Sequence, residues 1–323
     1  ATTDWNAPEE HTRQWQKEMF EMIDRLRFYP CITTWVVFNE GWGQHNTVEI
    51  VNKVIKYDDT RLINGVTGWT DRGVGDMYDV HNYPVTSMIL PENNGNRISV
   101  LGEFGGYGWA IKEHIWNPNM RNWGYKNIDG AMALIDSYGR LVYDLETLIA
   151  QGLSAAVYTQ TTDVEGEVNG LITYDRKVTK IPEGLLHLMH NRLYEITPAK
   201  AVTLIADGQN GSKNTRLVSL NGQELKMTSL PFECPPRSTV VSEATFKVDK
   251  DFNHLSLWLN VAGEAKVWLN GVEVFAQEAK QTRQYNQYNI SDYSRYLRKG
   301  SNLLKIEVKD SKKMRFDYGL RAY

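Results

Sequence analysis

Thr33-Thr34-Trp35-Val36-Val37-Phe38-Asn39-Glu40-Gly41-Trp42-Gly43 decides how the N-terminal part of this chain is read. Its opening β-branched and aromatic residues favour a strand, and the run stops abruptly at a carboxylate followed by glycines. A second run repeats the device: Ile98-Ser99-Val100-Leu101-Gly102-Glu103, then Phe104-Gly105-Gly106. In parallel α/β barrels the C-terminal end of a strand is where chemistry is done. Glu40 and Glu103 are therefore the candidate functional pair.

The elements around these runs alternate. A helix is expected over 8–28, where Pro8 suits the first turn, Glu9 and Glu10 favour the positive helix end, and Trp15, Met19, Met22, Ile23 and Leu26 form one apolar face. Thr47 to Lys56 reads as a second helix, Arg61 to Val66 as a strand ending in Thr67-Gly68-Trp69, and Asp76 to Tyr83 as another, stopped by Pro84. After the Glu103 strand comes a long polar and aromatic loop over 105–127. A helix follows from about Ala131 to Gln151, then a strand from Leu153 to Gln160 and a closing helix from Pro182 to Tyr194. This order predicts an α/β fold with a parallel sheet and covering helices.

Beyond Thr197-Pro198 the helical period vanishes. Short alternating runs such as Thr245-Phe246-Lys247-Val248, Leu255 to Leu259, Ala265 to Leu269 and Leu303 to Val308 take its place, and Asn270-Gly271 between two such runs is a strong hairpin signal. An all-β sandwich is expected over 238–323, a linker over 198–237 ending in Cys234-Pro235-Pro236, and the α/β portion over 1–197.

Composition bounds the partners. The apolar share of 41%, the charged share of 23% and the net charge of −3 describe a globular protein with no polyanion partner. No 18-residue apolar run offers a membrane span. Cys31 and Cys234 fall in different expected domains and form no metal-ligand spacing, so no disulfide framework is expected; no His/Asp cluster demands a metal, and metal dependence stays open. Ten Trp and 17 Tyr are many for 323 residues and suit stacking on sugar faces, although core packing accounts for most aromatic rings. The chain opens on Ala1-Thr2-Thr3-Asp4-Trp5 without Met or a signal peptide, which reads as a processed or cut start.

Two carboxylates at strand ends suit cleavage of a glycosidic bond, one as acid/base and the other as nucleophile. At this point the residues resemble a family. Trp35-Val36-Val37-Phe38-Asn39-Glu40-Gly41 is similar to the acid/base motif of glycoside hydrolase family two, which includes β-galactosidases, β-glucuronidases and β-mannosidases, and Leu101-Gly102-Glu103-Phe104-Gly105 is similar to its nucleophile motif. The resemblance implies that the five strands of 8–195 are the fourth to eighth of a (β/α)8 TIM barrel. It also implies a retaining exo-β-glycosidase, most of all of the β-galactosidase type, acting by double displacement. Glu40 then serves as acid/base and Glu103 as nucleophile.

By the same resemblance Asn39 hydrogen-bonds the sugar hydroxyl next to the anomeric carbon. His81 and Tyr83 face the sugar, with the Tyr83 hydroxyl free to donate to Glu103. Trp42, Trp69 and Trp109 follow strand ends and are candidates for a stacking wall. The last strand departs from the family in lacking its usual Trp, so Tyr158 or Gln160 must take that place. Asp163, Glu165 and Glu167 form an acidic loop at the same mouth, suited to sugar hydroxyls or a cation. Asn169-Gly170-Leu171 lacks the Asn-x-Lys pattern of glucuronidases, which disfavours a uronic acid. The region 238–323 resembles the family's jelly-roll, galactose-binding-like module through Ala244 to Val248, Val267 to Val272, Ile290-Ser291-Asp292-Tyr293 and Lys299 to Ile306.

Five strands leave a barrel open, with exposed edges and apolar faces. Self-association or a missing N-terminal segment is expected to complete it. The expected partner is a glycoside or oligosaccharide, with no nucleic acid, membrane or cofactor, and the parent polypeptide is expected to be secreted or periplasmic. The competing reading is a carbohydrate-binding or scaffold fragment with an incomplete, inactive barrel. A third is an unrelated barrel hydrolase with two carboxylates, against which the C-terminal module speaks.

Overall fold

In the computed structural model the run that ends at Glu40 forms β1 (Thr34–Asn39), and its alternating residues Trp35 and Val37, with Phe38, enter a core. Residues 3–209, 214–279, 284–310 and 312–323 are described. They divide into two units, Ala1–Gly139 with Gly152–Met189 and Arg140–Gln151 with His190–Tyr323.

In the first unit, helices α1 (Glu9–Leu26) and α2 (Thr47–Tyr57) pack on β1 and β2 (Leu62–Thr67). Met19 and Ile23 of α1, Ile50, Val51 and Val54 of α2, and Ile63 and Val66 of β2 join Trp35, Val37 and Phe38 in one cluster. Burying each such side chain contributes about 1.5–3 kcal/mol relative to exposure. Strands β1 and β2 pair in parallel, Thr34 beside Leu62 and Asn39 beside Thr67. A separate parallel sheet holds β3 (Met77–Asn82), β4 (Ile98–Gly105) and β7 (Leu153–Thr159) in that order. Between them in sequence lie a two-residue pair, β5 (Tyr107–Gly108) and β6 (Lys126–Asn127), and helix α3 (Ala131–Ala150). Helix α4 (Glu183–Tyr194) follows β7.

Five parallel strands are thus present in the expected order, but they form sheets of two and three strands, and no TIM barrel is evident among the described residues. A closed barrel needs about eight strands for tilt and stagger to match. The outer strand β7 shows the consequence, because Ser154, Ala155, Ala156 and Val157 are all exposed.

The second unit is a β-sandwich. One sheet runs β10 (Gln223–Leu230), β9 (Asn214–Leu220), β12 (Ser238–Val248), β17 (Gly300–Asp310), β14 (Glu264–Leu269) and β15 (Val272–Gln277). The other runs β11 (Phe232–Cys234), β18 (Met314–Ala322), β13 (Leu255–Asn260) and β16 (Asn286–Asn289), with β8 (Val202–Ile205) also on β18. Neighbouring strands pair antiparallel throughout. On β12 the buried Val240, Ala244, Phe246 and Val248 alternate with outward residues, the period-two pattern that fixes which face a strand buries. Asn270 and Gly271 both adopt positive φ, 51° and 87°, as a two-residue hairpin with the right twist requires.

One expectation fails here. The stretch 198–237 is not a linker: it supplies β8, β9, β10 and β11, and β9 pairs directly with β12. The end of α3 also belongs to this unit. Asp144 Oδ1 accepts the Asn289 N–H at 2.7 Å, and the Tyr143 carbonyl accepts from Asn289 Nδ2 at 2.7 Å, so backbone and side chain of β16 are satisfied by the helix.

Candidate active site

The turn after β1 creates the site. Glu40 sits at φ 53°, a left-handed conformation that a non-glycine residue adopts at a cost and that recurs at functional positions. Its N–H donates to Thr67 O at 3.0 Å, and Asn39 Oδ1 accepts a short hydrogen bond from the Thr67 hydroxyl. Gly68, at φ 88°, is the point of closest approach. A Cβ there would lie 3.2 Å from Glu40 Cγ and 3.3 Å from His81 Nδ1. Without a side chain at Gly68, the carboxylate and the imidazole can meet.

They do meet. His81 Nδ1 lies 2.7 Å from Glu40 Oε1 and 3.4 Å from Glu103 Oε2. Tyr83 donates its hydroxyl to Glu103 Oε2 at 2.5 Å, and the Tyr83 hydroxyl oxygen is 2.8 Å from Thr159 Oγ1. One oxygen of Glu40, one of Glu103 and a ring nitrogen of His81 lie within 4.8 Å of one another. A divalent cation could use these donors only at the expense of the His81–Glu40 contact. Burial, then donation to Glu103, holds the Tyr83 phenol well above its ordinary range.

Beneath the pair lies Asp79. Its carboxylate is buried, accepts from Asn64 Nδ2 at 2.6 Å and from the Gly102 N–H at 2.9 Å, and stands 3.9 Å from His81 Nε2. Burial pushes this carboxyl up to about 6, against the pull of its hydrogen bonds and of His81. Gly102 is forced by the same contact, since a Cβ there would come within 2.3 Å of Asp79 Oδ2.

The other expected residues divide. Trp69 stands edge-on to His81, ring centroids 6.2 Å apart, and is 60% exposed. Trp42 follows Glu40 by two positions and is 78% exposed, so both rings are open to a ligand. Trp109 is half-buried and tied by its backbone, donating to Val168 O at 2.9 Å. Tyr158 packs edge-on against Phe104 and Tyr138, and its hydroxyl accepts from the Tyr107 N–H, which makes it a core residue of β4 and β7. Gln160 is held by Asn169 Oδ1 at 2.9 Å. Asp163 does not line an open acidic mouth. It is buried against Lys180, whose Nζ donates to Asp163 Oδ1 at 2.7 Å, Trp109 O at 2.8 Å and Val168 O at 2.9 Å. Glu165 is exposed, and Glu167 accepts from Asn169 Nδ2.

Sequence reasoning missed Asp79 and Tyr125. The signal for Asp79 was present: Asp79, His81 and Tyr83 occupy alternate positions, so one strand face carries all three. Tyr125 lies in the long aromatic loop and stacks on Tyr83. Nothing local announced it.

No model of a known protein family matches this sequence, and no curated protein sequence matches it either. Among solved structures it is similar to a β-D-glucuronidase from Dictyoglomus thermophilum, at 13% identity and TM-score 0.26 over 34% of this chain and 20% of that one. It is also similar to a Ruminococcus gnavus β-glucuronidase, at 10% identity and TM-score 0.28 over 40% and 30%. A third is a β-D-mannosidase from Dictyoglomus thermophilum, at 11% identity and TM-score 0.25 over 34% and 16%. The matches to these β-glycosidases span less than a third of each of those chains. The functional reading accordingly rests on the geometry of the site.

Proposed function

We propose that this chain carries the acid/base and nucleophile of a retaining exo-β-glycosidase. The observation that carries the reading is the Glu40–Glu103 pair, set at the ends of parallel strands with donor atoms within 4.8 Å. Retaining enzymes keep their carboxyl groups about 5–5.5 Å apart, whereas inverting enzymes leave about 6.5–9.5 Å for a water.

Glu103, ionised, attacks the anomeric carbon. The bond from that carbon to the leaving oxygen breaks as Glu40 delivers its proton to that oxygen. A glycosyl ester on Glu103 results. Glu40, now ionised, takes a proton from water, the water oxygen attacks the anomeric carbon, and Glu103 departs as the carboxylate. Tyr83 holds the attacking carboxylate in line, Asn39 meets the adjacent sugar hydroxyl, and Trp69 and Trp42 offer stacking faces. The five strands serve as strands four to eight of a barrel in this reading. A neutral sugar, as in the β-galactosidase type, fits better than a uronic acid. Lys180 is committed to Asp163 and two carbonyls, and Asn169-Gly170-Leu171 supplies no other lysine.

Hydrolysis of a panel of aryl β-glycosides (galactoside, glucoside, mannoside, glucuronide, arabinoside) tests this, with Glu103→Gln as control. Turnover on one neutral glycoside, lost in the control, is the expected result. A folded protein inert on the whole panel overturns the enzyme reading for this chain. It favours a carbohydrate-binding or scaffold role, the reading that the exposed strand β7 supports.

A further inference from the structure

His81 touches both glutamates, yet the reaction scheme gives it no part. Carboxylates face both edges of its ring. Nδ1 lies 2.7 Å from Glu40 Oε1 and 3.4 Å from Glu103 Oε2, and Nε2 stands 3.9 Å from Asp79 Oδ1. The Nδ1–Glu40 contact is a hydrogen bond, whereas the Nε2 contact is an ion-pair distance, so Asp79 acts on the ring through its charge. That charge is poorly screened, because the side chains of His81 and Asp79 are 1% and 2% exposed. It is also held in place: Asp79 Oδ1 accepts the Gly102 N–H and Oδ2 accepts from Asn64 Nδ2. Trp69 meets the ring edge-on and carries no charge, and Tyr83 reaches it through Glu103.

A neutral imidazole carries one proton, and its other nitrogen accepts. With the proton on Nδ1 alone, the ring would donate permanently to Glu40 and favour its carboxylate over the carboxyl that the acid step needs. A proton on Nε2, favoured by the Asp79 charge, leaves Nδ1 to share a second proton with Glu40 along the 2.7 Å contact. That shared proton is the one Glu40 delivers to the leaving oxygen. The ring is then neutral with its proton on Nε2, and the Nδ1 lone pair beside the carboxylate makes Glu40 a stronger base toward water.

We propose that Asp79 is a positioning residue for the acid/base: it keeps a proton on His81 Nε2, which leaves Nδ1 as the edge that shares a proton with Glu40. The inference rests on Glu40 acting as acid/base. The state of the ring can nevertheless be read without turnover.

The test compares wild type with Asp79→Asn, which removes the charge and keeps an oxygen for the Gly102 N–H. Protein labelled with ¹⁵N at histidine reports whether each ring nitrogen is protonated, and His81 is assigned among the seven histidines by its loss in His81→Gln. At about pH 8 the Asp79 carboxyl, pushed up to about 6, is ionised. Wild type should then show Nε2 protonated, and Asp79→Asn should move that proton to Nδ1. A wild-type ring without a proton on Nε2, or the same ring state in Asp79→Asn, overturns the proposal whether or not the protein hydrolyses a glycoside. An amide spectrum that keeps its dispersion shows that the variant folds. Asp79→Ser, smaller and equally uncharged, repeats the comparison if the asparagine is not accommodated. Where the panel reveals a substrate, Asp79→Asn should move the alkaline limb of the kcat/KM profile to lower pH by on the order of one pH unit. A loss of activity with that limb unmoved assigns Asp79 to strand register alone and overturns the proposal. Inactivity on the panel with the ring state as expected refutes the glycosidase reading and leaves the Asp79–His81 coupling standing.

Discussion

Replacing Lys180 by methionine should be the most damaging single change in the first unit, and its cost should depend on pH. Lys180 Nζ and Asp163 Oδ1 are 2.7 Å apart with side chains 0% and 3% exposed, and the ammonium also serves the carbonyls of Trp109 and Val168. Burial drives the ammonium down and the carboxyl up, while their contact opposes both. Methionine keeps the stem and removes the charge, leaving Asp163 with only the Gly170 N–H at 2.8 Å. Removing one partner of a buried pair costs about 3–5 kcal/mol, and two orphaned carbonyls add roughly 1 kcal/mol each. Protonation of Asp163 caps the loss. In the variant its native pKa stands above its unfolded value, so the native state binds the extra proton more tightly, and stability falls as pH rises through that window. Lys180→Met should therefore lose least at pH 4, where the roughly 2 kcal/mol from the two orphaned carbonyls remains, and be weakest at pH 7–8. Urea unfolding followed by tryptophan fluorescence reads this, because eight of the ten tryptophans lie in the first unit. Adding Asp163→Asn should recover about half of the loss. A cost under about 1 kcal/mol at pH 7, or single effects that simply add, would refute the reasoning.

Two further outcomes follow from Asp79. Its folded carboxyl at about 6 lies above the ordinary 3.8, so the native state holds the proton more tightly and stability falls as pH rises from about 4 to 6. That interval corresponds to on the order of 3 kcal/mol. Denaturation curves across this range should show the slope in wild type and a flatter one in Asp79→Asn. Gly102→Ala places a methyl within 2.3 Å of Asp79 Oδ2, a contact that must be relieved by moving β4 or expelling the carboxylate. It should cost about 1–3 kcal/mol, visible as a lowered melting midpoint, and an unchanged midpoint would show that β4 yields freely.

What the sequence made legible was local. The strands ending at Glu40 and Glu103 announced themselves because β-branched runs meet glycines, and Asn270-Gly271 because few other pairs accept two positive φ values. The strands inside 198–237 were hidden for a physical reason. They are short or lie toward the margins of their sheets, where alternation is weak, and β10 breaks register between Leu225 and Thr228, with Met227 at φ 46°. Tyr158 shows how one residue of parity matters. The strand-end rule directs it to the site, yet its ring lies on Phe104 and Tyr138, because neighbouring positions on a strand face opposite ways. Tyr125 depends on a turn at Gly106 that no local pattern predicts.

The five strands contribute to one site although their ladders form two sheets, and the link between the sheets is made mostly by side chains. No ladder joins β2 to β3. Instead Asp76 Oδ2 accepts from the Ile63 N–H at 2.7 Å, the Asp76 N–H donates to Ile63 O at 2.7 Å, and Asn64 Nδ2 reaches Asp79 Oδ2 at 2.6 Å. Asp79 in turn holds Gly102 of β4, Thr67 of β2 holds Asn39 and Glu40, and Thr159 of β7 meets Tyr83. A carboxylate as deeply buried as Asp79 is costly unless its hydrogen bonds are met. Its position across the gap shows what that cost secures. The strand carrying His81 and Tyr83 is locked in register with the strand carrying Glu103, and through Asn64 to the strand beside Glu40. The spacing of the two glutamates is therefore fixed by polar bridges between the strands, and those bridges do not require the barrel to close.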